Sequence, residues 1–168
     1  MRIQPVAAGE VAAVLAARAD AIEAHKLTVQ HVTGGGAWVR GSPPLLIRMV
    51  DNVLDNAIGH NHDGGWIRVT TTADGELARL VVENGGEVLD QAQAAGLGQP
   101  FHRLGADRTG SDRRAGLGLS IVAAVAEAHG GTLSLNTRAE GGLQVSISLP
   151  LAADRTAAAA GSPAGVPA

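Results

Sequence analysis

The run Asn52-Val53-Leu54-Asp55-Asn56-Ala57 places two carboxamides one helical turn apart within a stretch of strong helical character. Leu46, Met49, Val50, Val53, Ala57 and Ile58 recur at the spacing of a single buried stripe. Ser42-Pro43 ahead of them offers a capping hydroxyl followed by a first-turn proline. The predicted helix therefore starts at Ser42-Pro43 and runs to about His60. Met49, Asn52, Val53 and Asn56 form an i, i+3, i+4, i+7 set, so both carboxamides sit beside the apolar stripe rather than opposite it. Asparagine is a mediocre helix residue and is costly to bury without partners. Two readings follow from the helix alone. A neighbouring loop could satisfy both side chains, or Asn56 Oδ1 could serve as a hard oxygen ligand for Mg²⁺, which takes few protein ligands when phosphates complete its shell.

A second stretch, Gly116-Leu117-Gly118-Leu119-Ser120-Ile121-Val122, reads as a glycine turn opening another helix, predicted from Gly118 to His129 and stopped by Gly130-Gly131. Bare N–H groups and the positive dipole end at such a start suit phosphates. A lone Gly-x-Gly is weak evidence. Taken together with the asparagine helix it suits a magnesium–nucleotide.

Outward from these two stretches, the periodicity predicts a first helix over Ala8–Ala24 and short strands at Leu27–Val32 and Ala37–Arg40, joined by Gly34-Gly35-Gly36. A hairpin spans Gly65–Ala73 and Glu76–Glu83 around Asp74-Gly75, and a second spans Thr132–Thr137 and Leu143–Leu149 around Glu140-Gly141-Gly142. Asn84–Ala115 has no sustained period, and a loop of that length in a compact domain is functional or disordered. We place one domain over residues 1–150 and an Ala/Gly/Pro-rich disordered tail over 151–168.

Composition narrows the class. The 168 residues suffice for one domain with a sizeable core, and the net charge of −3 gives no basic surface for nucleic acid. Trp38, Trp66 and Phe101 are the only aromatic residues, so the core is built from aliphatic side chains. Cysteine is absent, which excludes disulfides and thiolate metal sites. No signal pattern and no apolar run of about 18 residues occurs. The expectation is a soluble cytoplasmic piece with no membrane contact of its own, any anchor lying outside this chain.

The asparagine run and the glycine turn together resemble the ATP-binding catalytic domain of sensor histidine kinases, in the superfamily shared with gyrase and heat-shock chaperone ATPases. The resemblance covers about Val6 to Pro150, with the motifs in the family's order. It implies a two-layer α/β sandwich: three helices on one face of a mixed, mostly antiparallel sheet, with a long ATP lid. Asn56 stands at the magnesium-holding position. Asn52 stands where gyrase-like ATPases and stand-alone anti-sigma serine kinases carry a glutamate base. Val81-Val82-Glu83-Asn84-Gly85-Gly86-Glu87-Val88-Leu89 falls at the first glycine box, with Asn84 at the aspartate that recognises the adenine amino group, Gly86 at the first glycine and Val88 in place of the second. Asn84 can still accept that amino hydrogen through Oδ1, without charge assistance. Asn-Gly-Gly by itself is more often a plain turn.

Pro100-Phe101-His102-Arg103 resembles the aromatic box before the ATP lid, and Arg103, Arg108, Arg113 and Arg114 make that loop the most basic stretch of the chain. Any single arginine there is explained by solvation. As a group, guanidinium forks suit phosphate oxygens. Ala115-Gly116-Leu117-Gly118-Leu119-Ser120 matches the second glycine box, with Arg114 where a further glycine is usual. His60 could take the place of the family's phosphate-proximal lysine, replaced here by Gly59, or be an exposed helix-end residue. His62-Asp63 reads as loop and not as a metal site.

The implied activity is transfer of the γ-phosphoryl group of Mg²⁺–ATP to a histidine on a dimerisation and phosphoacceptor domain, with a response regulator as an indirect partner. Asn52 cannot abstract a proton, which suits a site whose nucleophile, a neutral imidazole, needs little activation. No histidine here stands in the acceptor's His-Glu or His-Asp helical context, so the chain alone is not expected to autophosphorylate. An anti-sigma-type serine kinase and a nucleotide-sensing pseudokinase are the alternatives, the second suggested by Val88, Gly59 and Arg114.

Overall fold

The computed structural model describes residues 3–5, 8–34, 38–88 and 110–151. Its elements, in chain order, are β1 (Ile3–Pro5), α1 (Ala8–Ala17), α2 (Ala19–Ala24), β2 (Thr28–Gly34), β3 (Trp38–Arg40), α3 (Pro43–Gly59), β4 (Trp66–Asp74), β5 (Leu77–Asn84), α4 (Gly110–Ala128), β6 (Thr132–Thr137) and β7 (Leu143–Pro150). The main sheet has the order β2-β4-β5-β7-β6, and β1 pairs with β3 in a separate ribbon. Only β2 and β4 run parallel, with α3 in the crossover between them; the other pairs of the main sheet are antiparallel. This is the expected mixed, mostly antiparallel two-layer α/β sandwich.

Period-2 alternation turns Ile67, Val69, Ala78, Leu80, Val82, Val145, Ile147 and Leu149 into the core. They meet Met49, Val50, Val53, Leu54 and Ala57 of α3 and Leu119, Val122, Val125 and Ala126 of α4. The other face carries a transverse row of polar residues, Gln30, Arg68, Glu83, Gln144 and Asn136.

Five local expectations change. The first helix breaks at Arg18 (φ −107°, ψ 13°), where Arg18 N–H reaches back to Leu15 O at 3.0 Å. The Arg18 guanidinium bonds Asp55 on α3, lies 3.1 Å from Asp51 and also donates to Val14 O. Tertiary ion pairing thus holds the chain where its helical period would have continued. The strands flanking Gly34-Gly35-Gly36 enter different sheets: β2 joins β4 and β3 joins β1. Ser42 occupies the N-cap of α3, but its hydroxyl makes no capping bond. Instead Ser42 N–H donates to His129 Nε2 at 3.2 Å.

The fourth change bears on the site. α4 begins at Gly110, not at Gly118, so Gly116 and Gly118 lie within its helical backbone. A helix leaves its free N–H groups in the first turn, so here they belong to the residues after Gly110 rather than to the Gly116–Leu119 run. Ala115, Leu117 and Leu119 are good helix formers and carry the helix through despite about 1 kcal/mol lost per interior glycine. Leu151, assigned to the tail, continues β7 by one bond: its N–H donates to Glu76 O at 2.8 Å.

Candidate functional site

α3 presents the asparagine pair against α4. Asn56 is only 4% exposed, yet neither its Nδ2 nor its Oδ1 has a protein partner. Asn52 Nδ2 is likewise buried and unpartnered. A loop satisfying both side chains is the alternative reading; among the described residues none does. Leaving such groups unpaired costs about 1–3 kcal/mol each, and buried polar groups without partners are rare. Asn52 Nδ2, Asn56 Nδ2 and Asn56 Oδ1 are thus two buried donors and one buried acceptor that no protein group meets. The Asn56 oxygen is the kind of hard donor that magnesium takes.

Gly118 of α4 faces Asn52. A Cβ built on it would lie 3.8 Å from Asn52 Cβ and 3.9 Å from Asn52 Oδ1, ordinary van der Waals distances. Packing against α3 therefore tolerates a methyl group at 118. The neighbouring carboxylates Asp51 and Asp55 occupy another flank of α3 and are engaged by Arg18, whose charge the Asp55 bond holds firmly in place.

Asn84 closes β5 and is 1% exposed. Its Nδ2 donates to Gly85 O at 2.7 Å. Turning the amide over would set two oxygens against each other, so the bond fixes the orientation of the carboxamide, with Oδ1 as its acceptor end. Gly86 follows with φ +149°. A Cβ there would collide with the carbonyl oxygen of His60, the C-cap of α3. The end of the asparagine helix and the Asn84 loop are thus in direct contact, and glycine at 86 is what allows it.

His60 is the C-cap of α3 and half-buried rather than the exposed helix-end residue of the alternative reading. Leu119 lies on α4 with its side chain in the core. Arg113, Gly116 and Leu117 are on the backbone of α4. Leu89, Phe101 and Arg103 lie outside the described residues. No group of three His, Asp or Glu side chains among the described residues could hold a metal, and Asp63 is 3.0 Å from His25 Nδ1. Sequence reasoning passes over Trp66, Arg138, Gly141 and Gly142, which pack around the Asn84 loop. The second glycine of Glu140-Gly141-Gly142, one more than a hairpin turn requires, is the available signal.

Comparison with known proteins agrees with this geometry. Residues 41–153 match the family described as histidine kinase-, DNA gyrase B-, and HSP90-like ATPase. The chain is 43% identical over 120 residues to the sensor protein CutS of Streptomyces coelicolor, covering 71% of this chain and 29% of that protein. It is 36% identical over 107 residues to the sensor protein RstB of Escherichia coli, covering 64% of this chain and 24% of that one. The chain therefore spans less than a third of the length of these relatives. The catalytic domain of the histidine kinase ThkA superposes with a TM-score of 0.76 at 19% identity, covering 90% of this chain and 98% of that one. The mycobacterial sensor histidine kinase MprB gives 0.73 at 24% identity, covering 89% and 97%. Both likenesses concern the fold.

Proposed function

The chain belongs to the histidine kinase-, DNA gyrase B-, and HSP90-like ATPase family, as the ATP-binding catalytic domain of a sensor histidine kinase, and we propose that it transfers the γ-phosphoryl group of Mg²⁺–ATP to a histidine of a dimerisation and phosphoacceptor domain. The observation that carries the reading is the buried, unpartnered carboxamide of Asn56 beside that of Asn52. Asn56 Oδ1 would hold Mg²⁺, which when bound neutralises charge on the phosphates. Asn84 Oδ1 would accept the adenine amino group. Gly116 and Gly118 leave room for close approach of the phosphates, and this explains a glycine at 118 that packing does not require. Leu89, Phe101, Arg103 and Arg113 would complete the ATP site, and His60 would stand in for the phosphate-proximal lysine that Gly59 replaces.

A partner imidazole nitrogen would form a bond to the γ-phosphorus as the bond from that phosphorus to the β,γ-bridging oxygen breaks, and ADP leaves. Such a transfer depends on positioning and charge neutralisation, and Asn52, which cannot take a proton, is adequate for it. The same residue weighs against a serine kinase, whose hydroxyl nucleophile needs a base. No helix among the described residues is long and apolar enough to cross a membrane. In a longer sensor this domain would lie on the cytoplasmic side, upstream of a response regulator.

The test is calorimetric titration of ATP with and without Mg²⁺ on the wild type and Asn56→Ala, then addition of a histidine-bearing acceptor domain with labelled ATP. Magnesium-dependent binding weakened in the variant, and acid-labile label on the acceptor, are expected. Binding without transfer to any acceptor would favour the pseudokinase. Acid-stable label on serine of a partner would favour the serine kinase.

A further inference from the structure

The Asn84 loop is braced from the sheet face opposite the helices. Trp66, Arg68, Glu83 and Gln144 alternate onto that face, away from Asn84 and the core. Glu83 Oε1 accepts from Arg138 Nη1 at 3.1 Å and from Gln144 Nε2 at 3.3 Å. The Arg138 guanidinium lies over the Trp66 ring, 4.7 Å from its centroid. The same indole backs the loop: a Cβ on Gly85 would come within 2.9 Å of Trp66 Nε1. Gly85 N–H donates to Trp66 O at 3.3 Å.

Arg138 also anchors the turn between β6 and β7. Its N–H donates to Gly142 O at 3.2 Å, and its carbonyl accepts from Gly141 N–H at 3.0 Å. The turn then grips the loop, since Gly142 N–H donates to Glu87 O at 2.9 Å. Gly141 and Gly142 have φ of +105° and +98°. A Cβ on the first would strike Gly86 O, and on the second Asn84 O. Arg138 thus connects three things: the carboxylate next to Asn84 on β5, the indole behind Gly85, and the turn that closes on residues 84–87. It does so from the face opposite the nucleotide.

We infer that Arg138 is a positioning residue for the nucleobase. Clamped between Trp66 and Glu83, it holds the β6–β7 turn against the loop that carries Asn84, and so sets base affinity and base discrimination without touching the ligand. The inference rests on the reading of Asn84 as the adenine contact. It concerns the loop alone; the Asn56 end of the site lies on α3, which Arg138 does not contact through any of these bonds.

The test compares ATP with inosine triphosphate, whose base carries an oxo group in place of the amino group, on the wild type, Arg138→Ala, Arg138→Lys and Glu83→Gln. Dissociation constants are measured with and without Mg²⁺. Arg138→Ala is expected to weaken ATP binding about tenfold, the scale on which outer partners tune a site. The ratio of ATP to inosine triphosphate affinity should fall with it, while the fold-effect of Mg²⁺ stays as in the wild type. Arg138→Lys restores the charge but not the planar stack, so it should recover only part of the loss. Glu83→Gln keeps the shape, guards against a folding defect and should move the base ratio in the same direction. Wild-type affinity and base ratio in Arg138→Ala and Glu83→Gln would overturn the inference alone. An equal loss for both nucleotides would also overturn it, pointing to general destabilisation. Failure of the wild type to bind ATP would instead overturn the reading of the site, and the inference with it.

Discussion

His129, the residue after α4, accepts the backbone N–H of Ser42 at the head of α3 through Nε2, at 3.2 Å. Its Nδ1 lies 2.8 Å from Val125 O and must donate there, which leaves Nε2 as the acceptor of a neutral ring. The helix bearing Asn52 and Asn56 and the helix bearing Gly118 are therefore tied together by one imidazole. The ring satisfies the N–H of the N-cap residue itself, as the returning side chain does in a capping box.

Gly41 makes room for that ring, because a Cβ at 41 would overlap it. His129→Ala should cost about 1–2 kcal/mol, the scale of a lost cap, and Gly41→Ala a similar amount as the ring is displaced. The double variant should cost clearly less than the two together, since the obstacle to the added methyl has gone. Urea denaturation of the four proteins checks this; additive losses would mean that the ring is not the obstacle.

Asn56→Ala removes a buried amide that has no protein partner. The fold gives up no hydrogen bond and loses a desolvation cost, so stability should stay level or rise by about 1 kcal/mol. Magnesium-dependent ATP affinity should fall at least about tenfold. Thermal denaturation beside calorimetry reads both. A clear loss of stability would show that the amide is satisfied within the protein.

Gly118→Ala adds a methyl that meets Asn52 only at van der Waals distance, 3.8 Å or more, in a helix interior. It should stabilise the ligand-free protein by about 0.5–1 kcal/mol. It should weaken ATP binding if the phosphates approach this backbone. Unchanged affinity would remove Gly118 from the site.

His31 lies on β2 opposite Val69, its Nε2 buried without a partner, and burial lowers its pKa. The unfolded chain then binds a proton more readily than the folded one, so stability falls as pH drops through the ordinary histidine range near about 6.5. His31→Val should flatten that fall, by less than about 1 kcal/mol for a ring only partly buried. Denaturation midpoints at several pH values compare the two slopes. Parallel slopes would exclude His31 as a contributor.

The asparagine pair is legible in the chain itself because it violates a local rule. Two carboxamides beside an apolar stripe have no reason to be there unless something meets them, and Asn56 is indeed buried without a protein partner. The start of α4 is not legible in the same way. Gly116 and Gly118 look like the end of a turn, yet the good helix formers between and after them carry the helix through, and α4 begins at Gly110. Nor can period reveal the break at Arg18, which depends on carboxylates 33 and 37 residues further along the chain.

What is encoded within a few residues can be read directly. The stripe of α3, the alternation of β4, β5 and β7, and the glycine-marked hairpins follow from repeats of 3.6 and 2 acting on neighbouring side chains. Which strands lie side by side, which ring caps α3 and what supports Asn84 are decided only in three dimensions. The Ser42–His129 bond spans 87 residues and the Glu83–Arg138 bond 55. Contacts at such separation are selected by the packing of the whole core and leave no periodic trace in the chain.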